Sequence, residues 1–398
     1  MAEWKIIRLG DCVATNQNTY SPKEGWQFVN YLDTGNITMN NINEIQYIST
    51  ISDKLPSRAR RKVQKNSIIY STVRPNQLHY GIIKTQPDNF LVSTGFTVID
   101  VNEKEAVPDY IYYVLTQQEI TEHLQAIAEQ SVSAYPSLKP SDIENLELLI
   151  PDIYTQRNIV AILCVIDKKI KQNTEINNNL EQQMQTLFKE FLSSNESGKL
   201  TTVEKVVLTA NTGADAIQKA PIVDYDTGIR CIRVGDMTNS RNFYEWGFTK
   251  VTDKVFKRYQ LHKDDIVVTR TASLGLNTII SEDLSAVYNN GLIRLTVDTS
   301  RMLPLYLYRQ FQTEDFENYI TRIESETSVR PNMKINYLLK YEFVLPSISK
   351  QSELIELLTP MLNKQNSLVS ENKQLESLRD TLLPKLMSGE LDVSGIDL

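Results

Sequence analysis

Cysteine and histidine are scarce in this chain, and long apolar runs and the familiar short catalytic motifs are absent. Its three cysteines, Cys12, Cys164 and Cys231, are isolated, without the paired spacing of a zinc site or a disulfide framework. A reducing compartment fits. The three histidines, His79, His123 and His262, are equally scattered. No stretch approaches the roughly 18 consecutive apolar residues of a membrane span. Glu3, Lys5, Arg8 and Asp11 interrupt any apolar run at the start, so no secretory signal is expected there. The expectation is a cytoplasmic protein that does not engage a membrane.

Phosphate-cradling Gly-x-x-x-x-Gly-Lys, dinucleotide Gly-x-Gly-x-x-Gly, Gly-x-Ser-x-Gly and His-Glu-x-x-His do not occur. Also missing is the Asn-Pro-Pro-aromatic motif with which amino-methyltransferases hold a target base, so no methyl transfer by this chain alone is expected. Pro151-Asp152 followed by Asp167-Lys168-Lys169 formally matches the Pro-Asp…Asp/Glu-x-Lys pattern of metal-dependent nucleases. Such cleavage needs carboxylates that converge from strands. Here both lie on or beside one helix, about 22 Å apart at 1.5 Å per residue. An N-cap at Asp152 and solvated helix charges at Asp167 and Lys169 are the better reading, and no metal site or catalytic residue is expected.

What the chain does contain is a repeat of itself. Pro151 through Leu192 re-registers on Pro346 through Met387 at a constant offset of 195 residues, the separation of the two prolines. Pro136 pairs with Pro331, Lys139 with Lys334, Gln156 with Gln351, Lys169 with Lys364 and Asn177 with Asn372, without a gap. Upstream the match is looser, pairing Asp33-Thr-Gly-Asn-Ile-Thr38 with Arg233-Val-Gly-Asp-Met-Thr238, and Val63 through Ile69 with Leu261 through Val267. This period exceeds the roughly 20 to 50 residues of a solenoid rung. The 398 residues, 41% hydrophobic and 23% charged, suffice for two ordinary domains with helical connectors.

Residues 1–150 alternate short apolar runs, such as Ser67–Val73 and Gly95–Val101, with Gly, Asn, Pro and Asp punctuation, which predicts strands. A helix is predicted from Pro108 to Leu124, mirrored from Pro304 to Ile320. After Pro151 the spacing changes to a strict 4-3 alternation through Ile159, Leu163, Ile166, Ile170, Asn173, Asn177, Leu180, Met184, Leu187 and Phe191. The second copy runs through Leu354, Leu358, Met361, Gln365, Leu368, Asn372, Leu375, Arg379, Leu382 and Leu386. These are heptad seams on helices of about 40 residues and about 60 Å. Asp152 and Ser347 are suitable N-caps, and Asn195–Gly198 and Ser388-Gly389 supply stops. The second helix can return only antiparallel to the first, which sets Asn173 opposite Asn372, a buried amide pair able to fix register. Core faces packing on their own globules are the alternative reading of the seams.

The predicted fold is therefore α+β: two similar globules, 1–150 and 198–345, joined by two long antiparallel coiled-coil helices, 151–197 and 346–398, in a pseudo-twofold internal repeat. Net charge is −7, so basic character is local. Residues 54–65 carry six Lys or Arg and no acid, and residues 254–263 hold Lys254, Lys257, Arg258 and Lys263. Basic side chains beside amides and hydroxyls suit phosphate clamping and base-edge readout. Candidates in the first repeat are Arg58, Arg60, Arg61, Lys62, Arg74, Asn76, Gln77, His79 and Tyr135. Those in the second are Arg241, Lys257, Arg258, Arg270, Ser273, Asn277, Asn290, Arg330 and Asn332.

Leu149-Ile-Pro-Asp-Ile-Tyr-Thr-Gln-Arg-Asn-Ile-Val160 leading into a long helix, Ser71-Thr-Val-Arg-Pro75, and the closing Leu382-Leu-Pro-Lys-Leu-Met-Ser-Gly-Glu-Leu-Asp392 together resemble the specificity subunit of Type I restriction-modification systems. The resemblance spans the whole chain. It implies two target recognition domains, each reading half of an asymmetric split sequence in double-stranded DNA. It also implies antiparallel helices that set the unread spacer and bind two methyltransferase (modification) subunits, joined by restriction/translocase subunits. S-adenosylmethionine, ATP and magnesium would then belong to those partners, with no cofactor in this non-catalytic chain. Departures from the pattern are Ser352-Glu353 where the first repeat has Arg157-Asn158, and Gln365 and Arg379 within the second seam. A coiled-coil scaffold without DNA specificity and a self-contained nuclease are the alternatives.

Overall fold

The computed structural model describes residues 4–130, 136–194, 198–326, 331–393 and 395. The chain forms two compact units, residues 1–173 with 370–398, and residues 174–369. These units do not follow the helix boundaries. Each of the two long helices, Ile153–Ser194 and Ile348–Met387, is divided between them, because its ends donate buried side chains to the globular cores.

In the first unit one sheet runs in the order Val13–Thr15, Phe96–Val101, Ile68–Ser71, Tyr80–Ile82, all neighbours antiparallel. The second unit repeats it as Val207–Thr212, Leu292–Val297, Ile266–Thr269, Asn277–Ile279. The strands Ile68–Ser71 and Ile266–Thr269 are buried at every position. Alternate side chains point to opposite faces, so Ile68 and Tyr70 enter one core and Ile69 another. Ile266 and Val268 separate from Val267 in the same way. Asn66 and Asp264, both at φ 69°, make the equivalent turn before these strands, where a left-handed backbone favours Asn and Asp.

A second sheet in each unit contains one parallel pair. It is ordered Gln46–Ser49, Phe28–Leu32, Phe90–Ser93, Ala59–Lys62 in the first unit, with Phe28–Leu32 and Phe90–Ser93 parallel. In the second unit the order is Ile222–Val223, Gly247–Thr249, Arg230–Ile232, Ala286–Tyr288, with the last two parallel. The two basic stretches diverge. The first forms the strand Ala59–Lys62, whereas the second forms the helix Asp253–Tyr259, capped by Thr252, whose side chain accepts from the Val255 N–H.

The predicted helices at Pro108 and Pro304 are each broken in two, giving Pro108–Leu115 and Gln118–Glu129, and Pro304–Gln310 and Glu314–Glu326. Side chains at the breaks take the place of continuing helical bonds. Thr116 Oγ1 donates to Tyr113 O at 3.1 Å and Gln117 Nε2 to Val114 O at 3.3 Å, while Thr313 Oγ1 donates to Gln310 O at 2.8 Å.

All twenty seam positions are buried or half-buried. In the first unit Asn173 Nδ2 donates to Asn372 Oδ1 at 2.9 Å, and Asn372 Nδ2 donates to Ile170 O at 3.3 Å. Arg379 meets Asp167 at 3.2 Å and Lys169 meets Glu371 at 3.4 Å. From Asp167–Arg379 to Asn173–Asn372 the numbers rise on one helix as they fall on the other, so the segments are antiparallel in the expected register. In the second unit Gln365 Nε2 donates to Asn177 O at 3.0 Å. Gln365 and Arg379, which interrupt the apolar seam in sequence, are thus its cross-helix polar contacts. The core-face alternative holds at the helix ends: Ile159, Leu163, Leu386 and Met387 join one globular core, and Met184, Phe188, Leu354 and Leu358 another.

Asp152 caps the first helix, accepting from Thr155 N and Thr155 Oγ1, both at 3.0 Å. Asp167 accepts from Tyr113 Oη at 2.5 Å as well as from Arg379. Burial, then the Asp167 charge, pushes the Tyr113 hydroxyl far up. The nuclease-like pattern is therefore consumed by structural contacts. Arg309, at the same helical position as Tyr113, reaches Glu181 at 2.5 Å.

The repeated glutamines hold the same place in each unit. Gln156 is 1% and Gln351 0% exposed. Gln156 Nε2 donates to Pro151 O at 2.9 Å and its Oε1 accepts from Val107 N at 2.9 Å. Gln351 bonds Pro346 O at 2.9 Å and Leu303 N at 2.8 Å. Each clamps the start of a long helix to the start of a globular helix. Gln156→Ala leaves two backbone groups without these partners and should lower the unfolding free energy by about 1–3 kcal/mol. Urea titration checks this, and an unchanged midpoint would refute the clamp.

Candidate nucleic-acid interface

In the second unit the parallel strands Arg230–Ile232 and Ala286–Tyr288 end at one edge, where the chain continues as Arg233-Val234 and as Asn289-Asn290-Gly291. A Cβ on Gly291 would lie 2.7 Å from Val234 Cγ2 and 2.9 Å from Thr271 Oγ1, so glycine is needed for the close approach of these segments. Arg270, one residue past the strand Ile266–Thr269, is spread across the same edge. Its Nε donates to Met333 O at 3.0 Å, Nη1 to Asn290 O at 3.2 Å and Nη2 to Asn332 Oδ1 at 2.8 Å.

Asn290 Nδ2 in turn reaches Asp215 Oδ2 at 3.4 Å. The Asp215 carboxyl accepts from the Gln218 and Ile217 N–H groups, which hold it below the usual carboxylate range. Three residues selected from sequence, Arg270, Asn290 and Asn332, therefore come together. Asp215, Arg233 and Asn289, which were not selected, join them. The repeat could have pointed to Arg233, which opens the segment matched to Asp33–Thr38.

The first unit builds the same edge from different chemistry. Asp33-Thr34 and Ser93-Thr94-Gly95 follow the equivalent parallel strands, and a Cβ on Gly95 would lie 2.8 Å from Thr34 Cγ2. Thr72 stands where the second unit has Arg270, and its N and Oγ1 donate to Gly95 O at 2.8 and 2.9 Å. Tyr31 Oη donates to Asp33 Oδ1 at 2.9 Å. Burial raises the Asp33 carboxyl, but hydrogen bonds from Tyr31, Thr34 N and Ser93, with the Arg58 charge nearby, outweigh it and hold it low. Arg58 itself is exposed.

The other candidates divide between surface and scaffold. Arg74, at φ 50°, and the exposed Asn76 and Gln77 form the turn after Ile68–Ser71. Arg60 and Arg61 are half-buried, with Arg60 Nη1 and Arg61 Nε unpaired among the described residues, and burial lowers the Arg61 pKa. Lys62 pairs with Glu24 and lies 5.1 Å over the Trp26 ring. His79 Nδ1 contacts Ile37 O at 2.6 Å, a structural role. Arg241 pairs with Asp236 at 3.2 Å. Lys257 and Arg258 are exposed in the last turn of their helix, Arg258 5.4 Å from the Tyr259 ring centroid.

Asn277 faces inward. Its Nδ2 donates to Gly275 O and Phe311 O at 2.9 and 3.1 Å, and its Oδ1 accepts from Gln312 at 2.6 Å. Ser273 contributes its carbonyl to Thr269 Oγ1. Tyr135 and Arg330 lie outside the described residues. No helix among the described residues is long and apolar enough to cross a membrane.

Gly213 brings the Asp215 segment against this edge. A Cβ there would lie 2.2 Å from Asn289 O and 2.3 Å from Tyr288 O, both backbone, whereas a Cβ on Gly35 meets nothing within 4 Å. Gly213→Ala should destabilise the protein by about 1–3 kcal/mol, and Gly35→Ala by no more than about 0.5 kcal/mol. Paired thermal melts check the contrast, and equal effects would contradict the packing described.

The sequence matches the family described as Type I restriction modification DNA specificity domain over residues 1–182 and again over 210–377. The specificity subunit of the Type I restriction enzyme HindI from Haemophilus influenzae is 25% identical, over 98% of this chain and 100% of that protein. The MjaIX specificity subunit of Methanocaldococcus jannaschii is 22% identical, over 98% and 94%. The S subunit of a Type-I restriction-modification system from M. genitalium shares the fold, with a TM-score of 0.57 at 14% identity over 97% of this chain and 96% of that one.

Proposed function

Because the chain belongs to the Type I restriction-modification DNA specificity family and carries its domain twice, we propose that it is the non-catalytic DNA sequence-specificity subunit of a Type I complex. Each globular domain reads one half of an asymmetric bipartite target in double-stranded DNA. The long helices set the spacer and dock two methyltransferase subunits, with restriction/translocase subunits completing the assembly. S-adenosylmethionine, ATP and magnesium act on those partners.

The observation that carries this reading is the pair of equivalent edges with unlike side chains. One places Arg270, Asn290 and Asn332 where the other has Thr72, Thr94 and Ser137. Different donors and acceptors at the same structural position suit two different half-sites. A scaffold without DNA specificity has no use for matched polar edges.

The test is duplex binding by the chain assembled with its methyltransferase partner, as a function of salt. Log affinity should fall linearly with log salt, by about 0.9 per phosphate neutralised, and one sequence should bind about a thousandfold or more above random duplex. Binding indifferent to DNA would favour a scaffold, and cutting with magnesium alone a nuclease.

A further inference from the structure

Resting on that reading, we infer that Asn332 is a base-reading side chain of the second domain and that Arg270 is the residue that positions it. Arg270 uses all three guanidinium nitrogens within the protein, two on the backbone carbonyls of Met333 and Asn290 and one on Asn332 Oδ1. Its contribution at this edge is therefore geometric. Three of its five N–H donors are committed to acceptors within the protein, which holds the guanidinium in place against Asn332.

Asn332 is the opposite case. It is exposed, yet its backbone is fixed by a bridge to Thr271 and by the flanking bonds from Met333 N to Arg270 O at 2.8 Å and from Ala272 N to Pro331 O at 3.3 Å. Arg270 then fixes the carboxamide through its oxygen. That oxygen keeps a second lone pair, and the amide nitrogen keeps its donors. An oriented carboxamide with a donor and an acceptor is the group that matches adenine N6 and N7 in the major groove. Locking its rotamer before contact removes much of the ordering cost of binding.

The first unit supports the assignment by contrast. There the same backbone scaffold is present, with Val73 bridged to Ser137, Leu138 N bonded to Thr72 O at 2.7 Å and Arg74 N to Pro136 O at 3.1 Å. The guanidinium is replaced by the Thr72 hydroxyl and the amide by Ser137. The scaffold is thus common to both repeats, and the Arg–Asn pair is particular to the second, as a determinant of one half-site should be.

The experiment is base-resolved adenine-methylation mapping with the full chain and its methyltransferase partner, comparing wild type, Asn332→Ala and Arg270→Lys. Asn332→Ala should make one A·T position of a single half-site degenerate, with discrimination there falling about ten- to a hundredfold, while the other half-site and the spacer stay unchanged. Arg270→Lys should relax the same position. An unchanged motif for Asn332→Ala, or a uniform loss at every position, overturns the inference while leaving the specificity reading intact. Failure of the wild-type complex to methylate any split motif overturns both.

Discussion

The first unit is not closed until the last helix of the chain returns to it. Leu386, Met387 and Val393 are 2%, 6% and 4% exposed, and they share one core with Ile159, Leu163 and the globule residues Tyr110 and Ile111. Asn158 Nδ2 fastens the returning segment by donating to Val393 O at 3.0 Å. Each fully buried side chain of this size is worth about 1.5–3 kcal/mol, so the contribution of the returning segment is comparable with the net stability of an ordinary domain. The second unit is completed in the same manner by the end of the first long helix, through Met184 and Phe188. The first recognition module therefore depends on residues remote from it in sequence, whereas the second is built from one continuous stretch, residues 174–369.

That dependence explains which features the two repeats share and which they do not. The matched glutamines Gln156 and Gln351 keep the same two backbone partners, and the glycines Gly95 and Gly291 keep the same close neighbour, Thr34 or Val234. These positions determine whether the module closes. The side chains that the edges present differ freely, because an Asp, Arg, Thr or Asn at the rim leaves the core intact. A duplicated scaffold with divergent rims suits a protein that must read two unlike half-sites with one architecture.

Much of the helical architecture was legible in the sequence, because a sustained 4-3 spacing marks a long helix with one buried face and because antiparallel return sets Asn173 opposite Asn372. The Asp152 cap was legible for the same kind of reason. Other features were not. Ala59–Lys62 carries no apolar alternation, so a strand inside a charge run gave no signal. The breaks at Thr116 and Thr313 depend on side-chain bonds rather than on Pro or Gly. At the candidate edge, residue type selected Arg270, Asn290 and Asn332 but also His79 and Asn277, since an amide or imidazole that bonds inward looks the same in sequence as one that faces a ligand. Asp33 and Asp215 were missed because acids are not sought in a basic interface, although they orient its donors.

The most direct test of the account maps methylated adenines for the wild-type chain and for a variant with one extra heptad in each long helix, inserted after Asn173 and after Val369. The methyltransferase partner is supplied to both. Seven helical residues add about 10 Å, or about three base pairs of duplex at 3.4 Å each. The wild-type chain should give one split motif, and the variant the same two half-sites farther apart. Absence of a split motif, or an unchanged spacer in a folded variant, would contradict the account.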